Sequence, residues 1–218
     1  MLYKRILTTL AAILLALTMS QSLSARWGGG GGGQDNLSQD EIDDILFMRE
    51  EEKLARDSYF LLGDEYGLTI FSNISESEQS HMDAMKKLID KYGLTDPVGE
   101  EDIIGGYQDL YLVKLLVFLM DWGFQSELDA LYVGGAIEET DILDIQHAIE
   151  RASHSDIIET YESLLCGSRN HLRSFVRQIE LVETPYERFI LTKEQFDEIM
   201  EDKLEQDCST TETKKRQR

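Results

Sequence analysis

The sequence is poor in proline, cysteine and positive charge, and it has no long apolar run. Its only two prolines, Pro97 and Pro185, lie between long stretches of helix-forming residues, so the chain reads as all-α. Its two cysteines, Cys166 and Cys208, are too widely spaced for a zinc site or a Cys-x-x-Cys redox pair. In an oxidising compartment they would form one disulfide tying the tail to the body; otherwise they are a helix thiol and a separate tail thiol. Lys and Arg number 21 against 42 Asp and Glu, a net charge of −21. That balance argues against a nucleic-acid partner, because phosphate binding relies on cationic side chains, and it suits metal ions as partners.

The longest apolar stretch, Ile6 to Met19, follows Lys4 and Arg5 and gives way to Ser20, Gln21, Ser22, Leu23, Ser24 and Ala25. It is shorter than the roughly 20 residues needed to cross a bilayer core, and its three-part plan is that of a secretory signal peptide. Residues 1–24 are therefore expected to be a signal peptide cleaved near Ser24. The mature chain would be exported, periplasmic or extracellular, with no integral membrane span. Residues 25–36, with an unbroken glycine run from Gly28 to Gly33, read as a linker. One helical domain is expected over 37–182. A tail follows over 183–218, carrying one short docked helix from Lys193 to Met200 and a disordered end beyond Lys203.

Periodicity and capping residues predict four long helices. The first runs from about Gln39 to Leu62, capped by Ser38 and ended by Gly63. The second runs from about Ser75 or slightly earlier to Tyr92 and stops at Gly93. The third follows Ser126 and ends near Ala152, and the fourth runs from about Ser155 to Leu181. Between the second and third lies a long connection with an extra apolar helix over 107–122. Bundles with short loops need no such connection, whereas ferritin-like four-helix bundles use one long crossover. The extra helix, apolar nearly all round, would lie across the bundle, form a homodimer contact or touch a membrane.

A charge at the centre of a helix's apolar arc needs a reason, because burying an unpaired carboxylate is costly. In the first helix Glu52 falls among Ile45, Met48, Ala55, Tyr59 and Leu62, while Glu50 and Glu51 project elsewhere. In the second, Glu78 and His81 share one inward stripe a turn apart. The third places Glu138 and Asp141 on its apolar face, with Glu139 pointing away. The fourth places Ser168 and His171 inward. One Glu-x-x-His is common on helices, but an inward polar group from each of four helices is the ligand plan of a carboxylate-bridged metal centre. Oxygen ligands with a few imidazoles favour iron or manganese over soft metals, with zinc also admissible. A hydrogen-bonded interior network without metal is the competing explanation.

These residues carry a family resemblance. The string Glu52-Lys53-Leu54-Ala55-Arg56-Asp57-Ser58-Tyr59 resembles the first-helix ligand motif of rubrerythrins and bacterioferritins, and Glu78-x-x-His81 resembles their second motif. The stretch from about Leu37 to Leu181, including residues 135–142 and 168–175, resembles an uncharacterised bacterial and archaeal branch of the ferritin-like superfamily, a domain of unknown function. The resemblance implies a four-helix fold with a dinuclear iron site. It also implies a departure, because Ser168 stands where the fourth helix would offer a glutamate before His171. A single ion, an asymmetric pair with Asp141 compensating, or no ion are the arrangements left open.

Two functions follow as expectations. The first is an exported metal protein using Glu52, Glu78, His81, Glu138 and His171, with Asp141 in reserve, for iron oxidation or for peroxide or oxygen chemistry. Tyr59 and Tyr161 are expected to be ordinary core tyrosines, with hydrogen bonds to the ligands or a place beside the metal as the alternative. The Cys-rich iron domain of rubrerythrins has no counterpart here, so an external electron donor would be required. The second is a non-catalytic envelope protein with a metal-free polar core that uses the bundle to bind a partner.

Overall fold

The computed structural model describes residues 37–182, 184–201, 205 and 208. The expected signal peptide and glycine linker lie outside the described residues, as does the end of the tail beyond Cys208. Six helices and no strands are present among the described residues: α1 Gln39–Tyr66, α2 Thr69–Tyr92, α3 Leu110–Gly123, α4 Glu127–Arg151, α5 Ser155–Glu180 and α6 Lys193–Glu201. None of them is long and apolar enough to cross a membrane.

The four long helices pair as two hairpins, α1 with α2 and α4 with α5, and the hairpins meet through α1 against α4 and α2 against α5. Short links enforce the pairing. Only Gly67 and Leu68 separate α1 from α2, and Gly67 takes a left-handed φ of 67° that ends α1. The sequence points to Gly63 as the stop, yet α1 continues a further turn. Gly63 instead lets the hairpin close, because a Cβ there would stand 3.3 Å from Cβ of Phe71. Helix α2 accordingly begins at Thr69 rather than near Ser75.

Helix α3 packs against α1 and α4. Leu112, Leu115, Leu116, Leu119, Met120 and Trp122 are buried, while Leu110 and Val117 remain exposed. It begins at Leu110, three residues later than the apolar pattern suggests, because Asp109 caps it by accepting from the Tyr111 N–H at 2.7 Å.

The connection ahead of α3 is pinned to α1 by charges in the interior. Lys53 and Asp57, both fully buried, pair at 2.5 Å. Lys53 also donates to the Ile103 carbonyl at 2.7 Å, and Asp57 accepts from the Gly105 N–H and the Tyr107 hydroxyl, each at 2.9 Å. Arg56 grips Asp102 through two hydrogen bonds. Every buried charge here has several partners, which is the condition under which a buried ion pair is tolerated.

The tail returns over the α4–α5 hairpin, where Tyr186 stacks on Tyr132 and on Phe196 of α6. Two further residues are described: Glu205 accepts two hydrogen bonds from Arg169, and Cys208 is disulfide-bonded to Cys166.

The apolar core divides into two clusters. One gathers around Tyr59, Leu62, Phe71, Trp122, Val133 and Phe175, the other around Ile45, Met48, Met85, Ile145, Ile157 and Tyr161. On each long helix the inward polar residues fall between the two, so a band of buried charge crosses the middle of the molecule.

Candidate metal centre

Five of the six residues singled out from the sequence converge in that band. Glu52 on α1 with Glu78 and His81 on α2 forms one group, and Glu78 with Glu138 on α4 and His171 on α5 forms another. Within each group the ligand atoms lie within 4.8 Å of one another, and Glu78 belongs to both. All five residues are buried, at most 9 % exposed.

The imidazoles present the same nitrogen to the centre. His81 Nδ1 lies 2.7 Å from Glu78 Oε2 and 3.1 Å from Glu52 Oε2, while His171 Nδ1 lies 2.8 Å from Glu78 Oε1 and 3.5 Å from Glu138 Oε2. The two rings face one another at 5.5 Å between centroids, inclined by 30°. Each carboxylate oxygen of Glu78 therefore addresses a different histidine.

Several supporting contacts orient these groups. His171 Nε2 sits 2.9 Å from the Ser77 hydroxyl, which fixes the ring so that Nδ1 looks inward. His81 packs against the backbone of α5 at Gly167, where a Cβ would come within 2.4 Å of His81 Nε2. Glu138 accepts a 2.5 Å hydrogen bond from the Tyr59 hydroxyl. Tyr161 makes no comparable contact, and its buried hydroxyl has no hydrogen-bond partner among the described residues.

Asp141 occupies a different position from the other five. It is buried beside the cluster with Oδ2 accepting from Ser168, the residue that replaces the glutamate implied by the family resemblance. Its Oδ1 has no hydrogen-bond partner among the described residues.

The electrostatics are those of an acid-rich interior. Burial, opposed chiefly by His81, pushes Glu52 up to about 7. Burial and then the charge of Glu78 push Glu138 up to about 7 as well. Asp141 is raised well above the ordinary range by burial and then by Glu52. Burial would also raise Glu78, but His171 and His81 on either side outweigh it and hold that carboxyl below its usual value. Burial likewise disfavours a charged His171, yet Glu78 and Glu138 hold it up at about 10. Four carboxyl groups share this space with two imidazoles, and Glu52 Oε1 and Asp141 Oδ1 are buried without a hydrogen-bond partner among the described residues. Unmade hydrogen bonds of this kind cost about 1–3 kcal/mol each, more when charged. A divalent cation bound among these groups would offset that cost.

Three buried acids escape the helical-wheel reasoning. Glu50, Glu51 and Glu139, expected to project away from the core, are 4 %, 7 % and 0 % exposed. Glu50 accepts from the Gln108 and Asp109 N–H groups and so holds the start of α3. Glu139 accepts from the Phe189, Ile190 and Leu191 N–H groups and from the Tyr186 hydroxyl, so it organises the returning tail. Their partners lie on segments far away in sequence, and a wheel drawn for one helix contains no information about those segments. For Glu139 one signal was available: the apolar residues of the tail must land on some part of the bundle.

Fold and site together define an all-helical protein with a buried carboxylate–imidazole cluster. Residues 41–203 match the family model described as an uncharacterized protein domain, DUF2202, and the chain belongs to that family. It is 43 % identical over 169 residues to the uncharacterized protein MJ0754 of the archaeon Methanocaldococcus jannaschii, a match covering 78 % of this chain and 91 % of that protein. The crystal structure of hypothetical protein MJ0754 is similar to this fold with a TM-score of 0.76 at 41 % identity, over 81 % of this chain and 100 % of that one.

Proposed function

We propose that this protein is an exported, ferritin-like metal protein that holds one or two iron ions between Glu52, Glu78, His81, Glu138 and His171. The observation that carries the proposal is the convergence of buried carboxylate and imidazole ligand atoms from four helices on Glu78. The pairing of four long helices as two hairpins, with a long connection between them, supports the ferritin-like assignment. The Cys166–Cys208 disulfide and the N-terminal signal-like segment support an oxidising destination.

Glu52 with His81 and Glu138 with His171 would hold the two halves of the site, and Glu78 would bridge them. Asp141, anchored by Ser168 and left with one free oxygen, stands where it can compensate for the missing glutamate. Iron held by such oxygen and imidazole ligands supplies one-electron chemistry suited to iron oxidation and to reduction of dioxygen or peroxide. The protein's own part is to set ligand orientation through Ser77, Tyr59 and Gly167 and to exclude bulk water by the two apolar clusters.

Elemental analysis of protein purified without chelator is expected to return near-stoichiometric iron, manganese or zinc. Added metal is expected to raise stability, by about 2.7 kcal/mol at a hundredfold excess over Kd. Trace metal together with an unmoved melting temperature would overturn the proposal. The exposed Leu110 and Val117 on α3 favour a second function, a non-catalytic envelope protein that binds a partner or a second copy through that helix. A Glu78→Ala, His81→Ala variant that loses metal while remaining folded would count against a metal-free core.

A further inference from the structure

Behind Asp141 the interior holds two more acids that the proposed site does not use. Glu51 on α1 is 7 % exposed, and its Oε2 is buried without a hydrogen-bond partner. Of the charged groups around it, Asp144 on α4 acts on it most strongly. Two neighbouring carboxyl groups in the interior are eased by a shared proton or a cation.

Helix α4 shows where this pair leads. Glu138, Asp141, Asp144 and His147 follow one another at three-residue intervals, and each step turns the helix by about 300°, so the row winds from the interior toward solvent. Burial follows the winding: Glu138 is 1 % and Asp141 5 % exposed, Asp144 is half-buried and His147 is exposed. Among neighbouring charges, Asp141 feels Glu52 most strongly, and Glu51 feels both Asp144 and Asp141. Tyr111 of α3 is half-buried and near enough to feel the charges of Glu51 and then Asp144.

We infer that Glu51 and Asp144 form a transit site for divalent cations, which pass from the surface at His147 through this pair and the free oxygen of Asp141 to the inner ligands. The inference rests on the proposed metal function and assigns that site its route of entry. Two observations carry it: buried carboxylate oxygens left unpartnered on Glu51 and Asp141, and a graded row of oxygen ligands continuous with the inner cluster. Hard oxygen ligands that are few in number hold such an ion weakly, as transit requires.

The test uses Co(II) alone as the probe, mixed with metal-free full-length protein and followed by its d–d absorption. Glu51→Gln with Asp144→Asn keeps the shape of both side chains and removes the charge. The double variant is expected to load at least about tenfold more slowly, the scale on which focused charge accelerates association, with unchanged final stoichiometry and affinity. Loading at the wild-type rate would overturn the transit site while leaving the inner site standing. An equal loss of affinity and rate would place the pair within the inner site itself and also overturn it. A wild-type protein that takes up no Co(II) would remove the metal function and the route together. Glu51→Asp, which keeps a carboxylate, is expected to load faster than the double variant.

Discussion

Gly167 shows how one residue without a side chain governs a site it does not ligate. His81 Nε2 occupies the space where a Cβ at position 167 would project, at 2.4 Å. The ring has little freedom to yield, because its Nδ1 is held toward Glu52 and Glu78. Gly167→Ala is expected to cost about 1–3 kcal/mol of stability through overpacking. It should also weaken metal binding by about 10–100-fold, the range seen when the support of a ligand is disturbed. A thermal melt and a Co(II) titration of the same preparation separate the two effects. Ser77 and Tyr59 belong with Gly167, since each positions a ligand from outside the ligand set. The ligands themselves were legible because each sits on the apolar arc of its own helix. Of their supports, Tyr59 was named from the sequence, whereas Ser77 and Gly167 carry no periodic signal and acquire meaning only when α2 and α5 come together.

At the scale of elements, Glu41 joins the start of α1 to the start of α5. Ser38 and Glu41 form a reciprocal cap on α1, with the Ser38 N–H donating to Glu41 at 2.9 Å. The other carboxylate oxygen accepts from the Ser153 N–H and from His154 Nδ1, each at 2.8 Å, at the point where the chain turns into α5. Burial pushes the Glu41 carboxyl up, but the hydrogen bonds from His154, Ser153 and Ser38 outweigh it and hold it well below its ordinary 4.5. A depressed folded-state pKa means stability that is present above 4.5 and lost as pH falls toward the folded value. Glu41→Gln is expected to lower stability at neutral pH by about 1–3 kcal/mol. The gap between wild type and variant should narrow as the solution is acidified below 4.5. Urea melts across that pH range check both statements. Ser38 was readable as a cap from sequence, since a Ser followed three residues later by Glu before an apolar run is a helix-start signature. The second use of Glu41, on residues more than a hundred positions away, was not. The same distinction separates Gly63 from Gly67: both are glycines near the end of one apolar pattern, and only the packing of Phe71 tells which one stops the helix.

At the scale of the molecule, the disulfide closes the chain over its own tail. Cys166 and Cys208 are separated by 42 residues and hold α6 and the aromatic stack around Tyr186 against the bundle. Loop-entropy arguments give about 4 kcal/mol for a cross-link of that span. Cys208→Ser, or reduction of the wild-type protein, is therefore expected to lower stability on that order and to speed protease cleavage within residues 182–201. Because Glu139 is satisfied entirely by this tail and stands next to Glu138, release of the tail should also reduce metal affinity. Spacing alone left the pairing of the two thiols open, and the folded return of the tail settles it.

The two hairpins divide the inner cluster evenly, and neither contains a complete set. Glu52, Glu78 and His81 come from the first, Glu138 and His171 from the second, so the centre exists only once both halves of the chain have met. A polypeptide that crosses a membrane unfolded carries no assembled centre with it. If the chain is exported and binds metal as proposed, the compartment in which folding finishes would supply the ion, and metal supply there, more than ligand preference, would decide what the protein contains.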